Sequence, residues 1–365
     1  MPGNRFENWT TRNFGFSDAA EMFVLLAGFA AAMAFFPRYQ LGDHFGVAAK
    51  AVRRAGVLYG AHLFSTLAAV ALFAIAAWLL GNPDILELIG IAPVLADPVA
   101  GLVGLLFGGH QLGYFNILPL YVFMLLLVPG LMWLAARDLR LMLAASFALY
   151  LAAHLLPIEM PNFPTDGGWF FNPFAWQFIF AIGIAMGIMR QRGQAIAWNP
   201  VAGAVALAYV AFGAVWMIGS MGGRISFNLL PLWMDTLHKS MLPASRLLHV
   251  LALAYLLVHS RLWTWLERID RSNPLTVMGR NSLPVFVAGS LLSMVGYITL
   301  VHTGSVLWLE VALTVGGVGV MTALARMVEG GQFAAAWQQL RQLSHRSRRA
   351  VSDVVDEDAE PTAKR

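Results

Sequence analysis

Runs of roughly 20 apolar residues recur along this chain, and such a run is what an α-helix needs to cross about 30 Å of hydrocarbon. By that measure spans fall at 17–37, 53–81, 115–136, 140–157, 173–190, 199–220, 244–261, 279–301 and 305–327. Nine such spans predict an all-α, polytopic transmembrane helical bundle, because in lipid each backbone amide must find its partner within the protein. Composition agrees: 58% of the 365 residues are hydrophobic and 12% are charged, too few charges to clothe a soluble domain of this length. Pro98 to Gly109 is apolar but too short to cross, and is expected to lie in the interface or re-enter.

The basic residues orient the bundle. Nineteen of the 24 Lys and Arg fall on one side, from Arg38, Lys50, Arg53 and Arg54 through Arg137, Arg140, Arg190 and Arg192 to Arg280 and the tail. The other side holds Arg5, Arg12, Arg224, Lys239 and Arg246. Taking the richer side as cytoplasmic satisfies the positive-inside rule at every turn, with a cytoplasmic C-terminus and residues 1–16 outside. A net charge of +4 is therefore a matter of topology, and no nucleic acid is expected as partner. The absence of Cys excludes disulfides and thiolate nucleophiles and removes the soft ligands of a structural zinc site, and no metal is expected. Residues 1–330 read as one integral membrane domain, and 331–365, with "RSRR" before "DVVDEDAE", as a disordered cytoplasmic tail.

An N-terminus outside the membrane with no cleavable signal has to be translocated against Arg5 and Arg12. The simplest repair is an upstream helix, so Met1 is expected to be an internal start or the product of a truncated gene model.

Several residues stand out by position. Asp18 and Glu21 open the first span at i,i+3, a spacing that suits a capping box and equally suits two carboxylates facing one way. Arg53 and Arg54 begin the second span, where they anchor the helix or bind phosphates; Tyr59 and His62 follow. His62 sits about two turns in, and an intramembrane histidine is either functional or packed by hydrogen bonds; it ranks above His154, His249, His259 and His302, which lie nearer span ends. Arg280, Asn281 and Ser282 stand at a helix N-terminus, suited to an anion or to plain capping. Gly183 with Gly187, and Gly316, Gly317 and Gly319, read as small-residue faces that let helices approach.

The motifs "PGNR", "RNFGFSDAAEMFVLLAGF", "RRAGVLYGAHL", "YFNILPLYVFMLLLVP", "FFNPFAWQFIFAIG" and "GRNSLPVFVAGSLLS" occur in order from Pro2 to about residue 327. In these the chain resembles the OpgC proteins, glucan succinyltransferases of Gram-negative inner membranes, within a wider superfamily of multi-span O-acyltransferases that typically have ten helices. The resemblance implies a missing first helix that ends on an Asp-His pair, whose histidine is that family's general base.

It further implies transfer of succinyl, or a related short acyl group, from an acyl-coenzyme A donor to hydroxyls of osmoregulated periplasmic glucans, with no bound cofactor and with the lipid bilayer as a partner. Such a reaction needs a base for the hydroxyl proton, a thioester held in register and positive groups for the oxyanion. Asp18 and Glu21, on the resemblance, and His62, on its position inside the membrane, are the expected catalytic residues. Arg53, Arg54, Tyr59, Arg280, Asn281 and Ser282 are the expected donor site. Asn116, Asn172, Trp176, Gln177 and Trp169 are the expected acceptor site, together with the aromatic loop residues Phe170, Phe171 and Trp233. Two departures matter: Ala27 stands where the family usually has Ser, and Asn116 where it often has Asp. A secondary transporter, or an inactive membrane scaffold, are the rival readings; a transporter predicts matching broken helices in two halves, and no such repeat is present.

Overall fold

The structure, a computed structural model, describes residues 4–10, 13–164, 166–221 and 239–331. Among these the chain is helical: α1 (Ala19–Gln40), α2 (His44–Leu80), α3 (Ala92–Ala96), α4 (Pro98–Leu106), α5 (Ile117–Arg137), α6 (Leu139–Leu155), α7 (Pro173–Gln191), α8 (Pro200–Met221), α9 (Ala244–Val258), α10 (Arg261–Leu266), α11 (Pro274–Arg280), α12 (Ser282–Thr303) and α13 (Leu307–Glu329). Each of the nine expected spans coincides with a helix. Seven of these are long and apolar enough to cross a membrane, while α6 and α9, at 17 and 15 residues, are shorter. The protein is a multi-pass membrane protein. Trp233 and the expected tail lie outside the described residues.

Contacts divide the chain into two compact units, Met1–Arg268 with Ser290–Val311, and Ile269–Gly289 with Ala312–Arg365. In the first, α1 packs most extensively on α7, and α2 on α5. The α1–α7 crossing is close because glycine faces glycine: a Cβ on Gly28 would overlap the Phe180 carbonyl, one on Gly183 the Leu25 carbonyl, and one on Gly187 would stand 2.6 Å from Ala32 Cβ. Small residues let two backbones approach where lipid offers no hydrophobic drive for association. The second expected glycine face is different. Nothing lies within 4 Å of a Cβ placed on Gly316, Gly317 or Gly319, so these glycines accommodate no neighbour among the described residues.

Helix α2 also departs from expectation. It starts at His44, capped by Asp43, whose carboxylate accepts from the Gly46 N–H, and it runs 37 residues. At about 1.5 Å per residue that is roughly 55 Å, well beyond the hydrocarbon thickness. Arg53 and Arg54 thus sit in the third turn and do not begin the helix. Its far end packs Ala69, Phe73 and Ala77 against Ile85, Ile89, Ile91, Val94, Leu105, Leu112 and Phe115 of the following segment, with Met294 and Ile298 of α12. The stretch Pro98 to Gly109 forms α4 and its C-terminal turn within this packed segment.

In the second unit α11 leads into α12 through Asn281, whose φ of −104° and ψ of 39° bend the chain. Gly289 brings α12 within 2.7 Å of Met321 Sδ, measured from a Cβ built on it.

Candidate functional site: an ion cluster at the start of α1 and a histidine line on α2

Asp18 caps α1. Its carboxylate accepts from the Ala20 N–H at 2.9 Å, and Glu21 Oε2 accepts in return from the Asp18 N–H at 2.8 Å, which completes a capping box. The same two carboxylates also meet cations. Arg246, near the start of α9, donates through Nε to Glu21 Oε1 at 2.6 Å and through Nη2 to Asp18 Oδ2 at 3.1 Å. Lys239 Nζ reaches Asp18 Oδ2 at 2.5 Å. Two acids and two bases cancel, which is what a buried cluster requires: Glu21 is fully buried and Arg246 nearly so. Burial alone would raise the Asp18 carboxyl, but Lys239, the Ala20 N–H and Arg246 outweigh it and hold the group at about 2. The capping and functional readings of the Asp18/Glu21 spacing therefore coexist in one geometry.

One turn beyond Arg246 on α9, buried His249 places Nδ1 2.7 Å from Ser17 Oγ and 3.4 Å from the Ser17 amide. Gly15 and Gly213 flank its ring: a Cβ on Gly15 would overlap the imidazole, and one on Gly213 would stand a tight 3.1 Å from it. Neither Arg246, Lys239, Ser17 nor His249 was among the residues expected from the sequence. The available signal was an Arg and a His at i,i+3 in an otherwise apolar helix, since a charge placed there calls for a partner.

The motif around Asn172 braces this cluster. Asn172 caps α7 by accepting from the Phe174 N–H at 2.9 Å, and its Nδ2 donates to the Ile158 carbonyl at 2.7 Å. The Asn172 amide and Trp176 Nε1 both donate to the Ser240 carbonyl at 3.0 Å. Gln177 donates to the Ser146 carbonyl at 2.7 Å and accepts from the Ser146 hydroxyl. Phe171 is buried rather than a free loop face: it meets Trp176 edge to face at 4.7 Å, and Lys239 Nζ lies 5.5 Å from its ring. Phe170 is exposed.

Along α2 lies a second set. Lys50, Arg53 and Arg54 line a cavity of about 520 Å³ whose other walls include Ala30, Ala31, Ala34 and Phe35 of α1 and Tyr121 of α5. Tyr59 does not join the arginines; its hydroxyl donates to the Leu106 carbonyl, on a different face of α2. His62 is fully buried beyond it; the Phe115 backbone carbonyl faces its ring, and no group among the described residues stands at ordinary hydrogen-bond distance from either ring nitrogen. Thr66, one turn on, has an unpartnered hydroxyl. Trp169 and Tyr59 both come within 4 Å of a Cβ built on Gly108. His62 makes no hydrogen bond to Asp18 or Glu21. Asn116 precedes α5 without a side-chain cap bond.

Arg280, Asn281 and Ser282 belong to the second unit. Arg280 donates to the Arg271 carbonyl at 2.7 Å and pairs with Glu329 at 2.8 Å. Asn281 Nδ2 donates to the Val277 carbonyl at 3.0 Å. Asn281 is thus turned back on α11 rather than onto the start of α12.

No curated protein matches the chain, and no solved structure does. The family model described as OpgC protein matches residues 1–331, nearly all of the chain and every helix above; the chain belongs to the OpgC family.

Proposed function

We propose that this protein is an O-acyltransferase of the bacterial inner membrane that moves succinyl groups from an acyl-coenzyme A to hydroxyls of periplasmic glucans. Family membership supports a glucan-modifying acyltransferase, and the layout of α2 supports the finer reading. The observation that carries it is the succession along one helix of a basic cavity, a buried histidine with neither ring nitrogen held at ordinary hydrogen-bond distance, and an aromatic loop. Lys50, Arg53 and Arg54 offer the donor's phosphates three cations at i, i+3 and i+4. The alanine wall admits a thin acyl-bearing arm. His62 lies eight residues past Arg54, about 12 Å along the helix. On the opposite side Trp169 offers a flat face to a sugar ring.

In this reading His62 takes the hydroxyl proton as the sugar oxygen attacks the thioester carbonyl. The C–O bond forms, the C–S bond breaks, and the proton passes to the departing thiolate. The Asp18–Glu21–Arg246–Lys239 cluster, placed on the outer side, orients the glucan hydroxyl. C-terminal residues lie in the cytoplasm, where the donor is made.

The test is glucan succinylation, read by mass spectrometry in cells that lack their own transferase. Wild type should succinylate and His62→Phe, which keeps a buried aromatic ring of similar size, should not. Unchanged succinylation in His62→Phe at equal expression removes the histidine from the mechanism.

A further inference from the structure

The turn from Lys239 to Leu242 carries one residue of the ion cluster, and its own backbone is held by residues from two other helices. Trp176 Nε1 and the Asn172 amide donate to the Ser240 carbonyl at 3.0 Å, Trp176 Nε1 also stands 3.3 Å from the Lys239 carbonyl, and the Tyr150 hydroxyl donates to the Leu242 carbonyl at 2.9 Å. Asn172 Nδ2 adds a contact of 3.4 Å to Met241 Sδ. Leu242, fully buried, has a φ of 50°, a conformation that a branched side chain adopts only when its surroundings impose it. A short three-residue turn has little hold of its own; α6 and α7 supply it.

We infer that Trp176, Asn172 and Tyr150 are positioning residues that fix Lys239 against Asp18, and so set the charge balance of the cluster from a distance. The role in transfer rests on the function proposed above; the clamp itself does not. Trp176 and Asn172 therefore act through backbone carbonyls. The indole N–H and the phenol O–H are each committed to a carbonyl, and in both residues the polar group is the part that matters.

The chain has three lysines, Lys50, Lys239 and Lys364, and in the proposed topology Lys239 alone faces outward. A membrane-impermeant, sulfonated succinimidyl ester applied to spheroplasts therefore reports on Lys239, with the modified peptide quantified by mass spectrometry. Trp176→Phe keeps the ring on Phe171 and removes one N–H; Tyr150→Phe removes one hydroxyl. Each should raise the rate of Lys239 modification about fivefold, the worth of one hydrogen bond. In transfer assays, Trp176→Phe combined with Lys239→Met should be no worse than Lys239→Met alone, because the two act through one contact. Unchanged labelling in both single variants overturns the clamp. Raised labelling with additive losses of transfer overturns its route through Lys239. Raised labelling in a protein whose wild type transfers nothing keeps the clamp and sinks the proposed function.

Discussion

Arg246 Nε donates to Glu21 Oε1 across 2.6 Å, joining the start of α9 to the first turn of α1 in a place where Glu21 is fully buried and Arg246 nearly so. The same guanidinium reaches Asp18. A buried pair of this kind gains little over apolar packing but is costly to break from one side, because the remaining charge is stranded. Arg246→Ala should therefore destabilise the protein by about 3–5 kcal/mol, seen as a lowered unfolding temperature in detergent. The double change Arg246→Met with Glu21→Gln should recover much of that loss. Equal unfolding temperatures for Arg246→Ala and wild type would show that the cluster bears no stability.

Asp18 predicts how stability depends on pH. Its folded value, about 2, lies below the ordinary aspartate value of 3.8. A depressed acid stabilises the fold above its unfolded pKa and loses that contribution as pH falls through the folded one. The loss should begin near pH 4 and approach completion near pH 2, on the order of 1–2 kcal/mol after allowance for partial solvent screening. Lys239→Met removes the leading favourable cause and should move the onset to higher pH. Thermal unfolding at stepped pH measures both; coincident curves for the two proteins would contradict the assignment.

The spans were legible because a 20-residue apolar run records the bilayer thickness directly. The nine expected spans return as nine helices. Where α2 began was not legible: Arg53 and Arg54 look like a helix edge, whereas the Asp43 cap that starts the helix earlier is a one-residue signal. Asp18 and Glu21 were found because their spacing is local. Their partners Arg246 and Lys239 lie more than 200 residues away in sequence, and no local pattern names a long-range partner. The glycines illustrate the same limit. Gly183 and Gly316 are alike in composition, yet one meets a backbone and the other meets nothing.

That difference is itself testable. Gly183→Ala and Gly28→Ala each place a methyl group against a carbonyl of the facing helix, backbone that cannot rotate away. Overpacking of this kind typically costs about 1–3 kcal/mol. Gly316→Ala should be neutral or slightly stabilising, since alanine loses less backbone entropy in a helix. Unfolding temperatures of the three variants decide it; a loss at Gly316 as large as that at Gly183 would mean that a neighbour covers the α13 glycines.

The basic cavity predicts a kinetic separation. Lys50, Arg53 and Arg54 sit beside alanines of α1, and Lys50 Nζ stands 5.3 Å from the Phe35 ring, so its stem is already held toward the wall. If these cations hold the donor's phosphates in the ground and transition states alike, removing one raises KM for acyl-coenzyme A and leaves kcat nearly unchanged. Arg53→Gln and Lys50→Gln should each raise KM about tenfold, the loss of one charge-assisted contact, and the effect should shrink at high salt. Ala34→Leu fills the cavity without touching charge, and should lower binding of the donor regardless of salt. Membrane vesicles with defined donor and glucan give both constants. A fall in kcat with KM unchanged in the charge variants would move these residues from donor binding to the chemical step, and an unaltered KM in all three would remove the cavity as the donor site.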